Sequence, residues 1–145
     1  MEGVEPIRFW HPMRVRYRDV DRQDIVYFGA YLDFFSQGIY EYFGALGVPL
    51  SETEPSGEFD CVFRRVEVDY LGSAQLDDTV RVGVRCVRMG RSSMEFLTVA
   101  VRAGDDGHLA RGRLVMVNHE RHAGRSKPIP EWIRARVMAF EGDLE

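Results

Sequence analysis

The stretch YRDVDRQDIVYFGAYLDFF, residues 17–35, decides how this chain folds. It gathers Asp19, Asp21 and Asp24 within six positions and then runs directly into an aromatic-rich segment. Just upstream, in MRVRYRDV (residues 13–20), Val15 and Tyr17 alternate with Arg14, Arg16 and Arg18, the period-two pattern of a half-buried strand. That strand delivers the acids to its own end. Downstream, Leu32, Phe35, Ile39, Tyr42, Phe43 and Leu46 recur three or four apart, which predicts a helix of about five turns over residues 29–46 with one apolar stripe. Gly47 stands where such a helix stops, and Pro49 lies just beyond it.

Residues 52–58 are rich in Pro, Gly, Ser and Glu and read as a surface loop. After them the hydrophobic period changes to two. Val62, Val66, Val68 and Tyr70, then Val80, Val82, Val84 and Cys86, then Met94, Phe96, Thr98 and Ala100, then Leu114 and Met116 mark four strands. The breaks LGSAQLDD, MGRSS and GDDG carry turn residues, and the last two are short enough for antiparallel hairpins. A meander is the simplest connection. Trp132, Ile133, Val137 and Phe140 follow Pro128 and Pro130 at helical spacing, so a short closing helix is expected over residues 130–140. One strand, one long helix and four strands make an α+β architecture in which a single helix is wrapped by a five-stranded antiparallel sheet. An open sheet leaves edges that invite pairing, so dimerisation is expected on physical grounds alone.

A length of 145 residues suits a single domain over residues 1–145, and 45% hydrophobic with 29% charged residues is the balance of an ordinary globular protein. The net charge of −4 gives no global basic footprint for a nucleic acid. Two cysteines, Cys61 and Cys86, show no paired framework and read as free, mostly buried thiols. The N-terminal MEGVEPIRFWHP lacks the basic and apolar regions of a signal peptide, and no segment has the apolar length of a membrane span, so a cytoplasmic location is expected. Nearly all the basic residues are Arg, with Lys127 alone, which favours planar bidentate pairing.

Familiar catalytic signatures are missing: there is no nucleophile elbow, Walker loop, H-E-x-x-H or C-x-x-C. HERH, residues 119–122, is a close His pair that reads as a solvated surface feature rather than a metal site. The acids after the first strand say more. A carboxylate where a strand ends and a helix begins lies near the helix's positive pole and its unpaired N–H groups. It can cap the helix or do chemistry there. Capping needs one acid, and here there are three.

The segment Y-x-D-x-D-x-x-x-I-V-Y followed by an aromatic helix resembles that of the hotdog-fold acyl-CoA thioesterases, in particular the 4-hydroxybenzoyl-CoA thioesterase group. Tyr17, Asp19, Asp21, Ile25, Val26, Tyr27, Tyr31 and Leu32 match it. The resemblance implies a hotdog fold, in agreement with the order of elements above, and hydrolysis of an acyl-CoA without a cofactor or metal. It implies Asp21 as the catalytic carboxylate, either nucleophile or general base. It implies the Phe28 backbone N–H as the oxyanion donor, worth on the order of 3 kcal/mol in comparable sites.

Where the family has Gly this chain has Asp24, a second charge that could modulate Asp21. The family's polar residues after the Tyr are Phe28 and Ala30 here, and the glutamates one turn into the helix are Ser36 and Gln37. The resemblance also implies that Arg88 and Arg91, beside Ser92 and Ser93 in VRMGRSS, hold the nucleotide phosphates. Tyr27, Tyr31, Phe34 and Phe35 are expected to line the acyl pocket together with a partner chain's strand, although aromatics at helical spacing also make plain core. An active homodimer, paired again into a homotetramer, is the expected assembly, with no nucleic-acid or membrane partner. A protein that binds an acyl thioester without cleaving it, and a thioesterase acting on acyl-carrier protein, are the alternatives.

Overall fold

The computed structural model describes residues 6–142 and Leu144. Six strands and three α-helices appear, in the order β1 (Phe9–Arg14), α1 (Ala30–Ala45), α2 (Leu50–Ser56), β2 (Cys61–Tyr70), β3 (Thr79–Met89), β4 (Ser93–Arg102), β5 (His108–Glu120), β6 (Arg125–Ser126) and α3 (Glu131–Glu141). The sheet is antiparallel with strand order β1-β3-β4-β5-β2, and the short β6 pairs with β5. The α+β architecture, with α1 packed against the sheet, is as expected.

The α1 helix forms where its periodicity places it, and its buried stripe is Ala30, Tyr31, Phe34, Phe35, Gly38, Ile39, Tyr42 and Phe43. Leu32, expected on that stripe, is exposed on the outer face. The helix stops before Gly47, whose φ of 78° is the left-handed conformation glycine adopts without strain. Phe43 and Tyr42 meet Phe96 of β4 edge to face, with ring centroids 5.8 and 5.7 Å apart, and Phe43 also meets Phe59 at 5.4 Å. Such pairs add about 0.5–1.5 kcal/mol each beyond area burial. At the middle of α1, Gly38 lets the helix come close to β3: a Cβ there would lie 2.7 Å from Val82 Cγ1 and 3.2 Å from Val84 Cγ2.

Three expectations need correction. The first strand lies at Phe9–Arg14 rather than Met13–Val20, and Tyr17–Asp19 is a 3-10 turn. Asp19 causes the change. Its buried carboxylate accepts the Arg16 backbone N–H at 2.8 Å and pairs with the Arg16 guanidinium at 3.1 Å, which folds the chain back before the strand can continue. Tyr17, which alternation assigns to the buried side, is therefore exposed.

Residues 52–58 are not all loop, because α2 covers Leu50–Ser56, anchored by buried Leu50 and Thr53 and ended by the left-handed Gly57. Nor are the last four long strands a simple meander. Only β3, β4 and β5 meander; β2 sits at the far edge beside β5. The connection LGSAQLDD is a crossing rather than a hairpin. It leaves β2 with the Leu71 and Gly72 N–H groups both bonded to Leu109 O of β5, passes Val26 N–H at Ala74 O, and reaches the end of β1 through Val15 N–H to Asp78 O before β3 begins.

The C-terminal helix starts after Pro130 and ends on a buried acid, Glu141. Glu141 Oε2 accepts from the Tyr42 hydroxyl at 2.7 Å and from the Cys86 N–H at 2.8 Å. Burial, with this carboxylate beside it, holds the Tyr42 phenol well above the ordinary range. Cys61 and Cys86 are free, and burial pushes each thiol up to about 12, so both stay protonated and unreactive at neutral pH.

Two glycines of α1 should respond in opposite ways to one substitution. Gly38→Ala meets a buried β-branched wall; overpacking of about 1–3 kcal/mol outweighs the gain of about 1 kcal/mol in helix propensity. Gly44→Ala meets nothing within 4 Å and should stabilise by about 0.5–1 kcal/mol. Urea unfolding midpoints of the two variants check both signs.

Candidate active site

The candidate site is the turn and helix entry between Asp19 and Tyr31. Val20 and Val26 form an antiparallel bridge, closed by Asp21 N–H to Ile25 O at 2.9 Å and Asp24 N–H to Asp21 O at 3.0 Å. Asp21 is the first residue of that turn. Its Oδ1 accepts the Gln23 N–H at 2.7 Å, and the carboxylate is otherwise exposed, with no ion pair among the described residues.

Asp24 has a φ of 63°. A three-residue hairpin loop needs a left-handed residue at this place, usually Gly, and Asp tolerates the region better than most side chains. The exchange of the family's Gly for Asp24 is thus a local backbone requirement met by a second-best residue.

The chain then enters α1. Tyr27 N–H bonds Asp19 O at 3.0 Å, so the buried Asp19 fixes the height of the helix entry through its main chain as well as its carboxylate. Ala30 N–H bonds Tyr27 O and Leu32 N–H bonds Gly29 O. The N–H groups of Phe28 and Gly29 have no hydrogen-bond partner among the described residues. They are the orphan donors of a helix start, at its positive pole. The Tyr27 ring lies over Gly29, where a Cβ would be 2.9 Å from Cε2, so a larger residue there would push the ring aside. The Phe28 side chain is exposed; its carbonyl accepts the Tyr70 hydroxyl at 3.0 Å and its ring stands edge-on to Tyr70.

Of the aromatics expected to line a pocket, Tyr27 is partly exposed at the helix entry and Tyr31 lies beneath it, edge-on to Tyr70 at 5.9 Å and Phe34 at 5.7 Å. The buried Tyr31 hydroxyl faces the Ala74 backbone without forming a hydrogen bond, and burial raises its pKa above the ordinary phenol value. Phe35 is fully buried; a Cβ on Gly112 would lie 2.9 Å from its ring.

Arg88 and Arg91 are exposed on the β3–β4 hairpin, and Ser92 is half-buried. The hairpin is held by α3 and its approach: Ile129 N–H bonds Arg91 O, Arg134 Nη2 bonds Gly90 O at 2.8 Å, and Asn118 N–H bonds Ser92 O. Within one chain these arginines do not meet Asp21. The acid turn sits at the Thr79 end of β3, where β1 finishes, and the hairpin at the other end, about 33 Å away along an extended strand.

A cleft of about 530 Å³ does lie at the acid-turn end, lined by Met13, Arg14, Arg16 and Arg18 and by Asp33, Phe34, Ser36 and Gln37 of α1. The alternation of arginines before the acids was its visible signal; reading them as the solvent face of a strand hid it. At the hairpin end, His119 of HERH contacts the Asp60 carbonyl through Nδ1 at 2.7 Å, and Arg121 pairs with the Asp60 carboxylate at 2.8 Å.

A long helix enclosed by an antiparallel sheet, with a carboxylate turn at the helix entry, is the hotdog class of thioesterase-like folds. The profile of the Thioesterase-like superfamily matches residues 15–137, and the chain belongs to that family. The acyl-CoA thioesterase YbgC of Haemophilus influenzae is 32% identical over 74 residues; the match spans 51% of this chain and about half, 54%, of that relative's length. A thioesterase of Thermus thermophilus, solved with coenzyme A and Zn, is 33% identical over 100% of both chains with a TM-score of 0.81. A 1,4-dihydroxy-2-naphthoyl-CoA thioesterase of Synechocystis, at 16% identity, shares the fold with a TM-score of 0.85 over 93% of this chain and 98% of its own.

Because Asp24 occupies a left-handed position, Asp24→Gly should keep or raise stability by up to about 1 kcal/mol, whereas Asp24→Val should lose about 1–2 kcal/mol. Thermal unfolding of the two variants measures this directly.

Proposed function

We propose that this chain hydrolyses an acyl-CoA thioester to the free acid and coenzyme A, in the cytoplasm, with one site per chain. The observation that carries the reading is an exposed carboxylate, Asp21, in a turn leading straight to a helix entry with unpartnered Phe28 and Gly29 N–H groups. Family membership and the coenzyme A bound to the Thermus relative support it.

In the general-base course Asp21 takes a proton from water as its oxygen attacks the thioester carbon, and the C–S bond breaks as the thiolate leaves. In the nucleophilic course the Asp21 carboxylate itself attacks the thioester carbon, the C–S bond breaks and the thiolate leaves to give a mixed anhydride, and water then hydrolyses that anhydride to the free acid and Asp21. In both, negative charge grows on the carbonyl oxygen, and the Phe28 N–H is aligned by the helix to receive it. Tyr27 and Tyr31 line the acyl side. The Asp24 carboxylate adds negative charge to the same turn and modulates Asp21.

The reading includes a homodimer formed along β2, with two dimers pairing into a tetramer. The ten-residue β2 is an open edge without proline, and Val62, Phe63, Val66, Tyr70 and Leu71 are exposed. The opposite edge, β1, has six residues and carries Pro12, which blunts pairing. A second reading, binding without cleavage, is favoured by Phe28, Ala30, Ser36 and Gln37 standing where the family carries polar or acidic groups.

Asp21→Asn should lower thiol release from a panel of aromatic, short and long acyl-CoAs by about 10²–10⁴-fold with the fold intact. Wild-type turnover in that variant would sink the proposal, and tight acyl-CoA binding by the wild type with no thiol released would select the binding module instead. Placing Lys at Val62 and Val66 should turn the assembly into monomers in light scattering; an unchanged mass would remove β2 as the contact.

A further inference from the structure

We propose that Tyr70 is a positioning residue for thioester hydrolysis: its hydroxyl, held on the Phe28 carbonyl, aims and strengthens the Gly29 N–H as a second oxyanion donor beside the Phe28 N–H. The inference rests on the acyl-CoA hydrolysis reading above and adds to it a residue of β2, outside the acid turn and the helix.

The helix entry leaves the Phe28 carbonyl to be satisfied from elsewhere. A regular helix would give it the Leu32 N–H, four residues on, but that N–H bonds Gly29 O at 3.1 Å instead. The Tyr70 hydroxyl takes the place, donating to Phe28 O at 3.0 Å from 42 residues away in the chain. Tyr70 is itself held firmly. Its backbone closes β2 opposite Ala110 of β5, and the next N–H groups, of Leu71 and Gly72, both bond Leu109 O. Its ring stands edge-on to Phe28 at 6.5 Å and to the buried Tyr31 at 5.9 Å. Packing thus delivers the hydroxyl to the carbonyl.

What the bond does follows from the planarity of the peptide. The Phe28 carbonyl and the Gly29 N–H belong to one trans peptide and point in opposite directions, so fixing the first fixes the second. A carbonyl that accepts a hydrogen bond also draws electron density from its amide nitrogen, which makes the N–H a stronger donor. Neither the Gly29 N–H nor the adjacent Phe28 N–H has a partner among the described residues, so both are open to the oxygen of a ligand. Tyr70 acts on that oxygen through the peptide, without touching it.

Tyr70→Phe removes the hydroxyl and keeps both ring contacts. Removing an oxyanion donor costs about 10²–10³-fold in kcat and weakening one costs less, so kcat should fall about tenfold with KM unchanged. A second readout needs no turnover. The sequence holds two Phe-Gly pairs, Phe28–Gly29 and Phe43–Gly44, so labelling the Phe carbonyl carbon and the Gly nitrogen with NMR-active isotopes selects two amide signals. Tyr70→Phe should shift the Gly29 signal and leave that of Gly44 in place. An unmoved Gly29 signal would overturn the contact. A shifted signal with kcat unchanged, or with a rise in KM alone, would make the contact structural and overturn the role. The two readings fail separately: hydrolysis by the wild type that is indifferent to Tyr70→Phe removes Tyr70 alone, whereas a wild type that releases no thiol from any acyl-CoA removes the hydrolysis reading and this inference with it.

Discussion

The close approach of α1 to the sheet at Gly38 is the constraint from which the rest of the structure follows. One helix with one apolar stripe buries that stripe only if the sheet curls around it, and contact between the helix backbone and the Val82 and Val84 methyls sets how tightly it curls. The stripe ends in the aromatic cluster of Tyr42, Phe43, Phe59 and Phe96, which fixes the helix along its axis as well as in depth. The crossing of LGSAQLDD from the β2 edge to β3, beside β1, then becomes necessary, because a hairpin there would lay β2 beside β3 and leave the helix entry uncovered. Its bonds to Val15 and Val26 close the sheet over that entry.

Asp19 couples this packing to the candidate site. Burying a carboxylate costs several kcal/mol unless it is paired and hydrogen-bonded, and Asp19 meets that requirement with the Arg16 backbone and guanidinium. Its carbonyl positions Tyr27, and Tyr27 over Gly29 shapes the turn that exposes the Phe28 N–H. The three acids thus divide their work: Asp19 builds the turn, Asp24 supplies its left-handed residue, and Asp21 presents an exposed carboxylate that also accepts the Gln23 N–H. Glu141 does similar structural work at the other end. It caps Cys86 N–H just past Phe9↔Val84, the last β1–β3 pair, and so supplies the bond that a longer β1 would have made.

What could be read from residue order follows from range. The periodicity of α1 and of β3, β4 and β5 is local, and hairpin turns such as MGRSS tie neighbours in sequence to neighbours in space. The misplaced first strand failed because a buried acid's hydrogen bond to Arg16 overrode alternation, a preference that residue types alone do not show. The sheet order failed because the pairing of β2 with β5 joins segments about fifty residues apart, Cys61 with Asn118 at one end. Within the site, the motif located Asp21 and the helix entry. It could not reveal that Arg88 and Arg91 lie at the other end of β3 from the acid turn, since that depends on where β1 stops against β3. Nor could it show that the arginines of the supposed solvent face line a cleft, because their opposite wall is α1.

The two sheet edges then bear on how far a single chain can complete its site. β1 is short, carries Pro12 and is backed by Trp10 over Gly83, whereas β2 runs ten residues with apolar side chains in solvent. A two-fold-related pair of such edges runs antiparallel, and its surface is self-complementary. That geometry sets the Cys61 end of one β2 toward the Tyr70 end of the other. Tyr70 touches Phe28 and Tyr31, so the helix entry lies where a second chain would arrive, carrying Phe59, Asp60 and Arg121. On the proposed pairing the exposed Phe28 ring, edge-on to Tyr70, is the apolar surface at the helix entry that a second chain would cover.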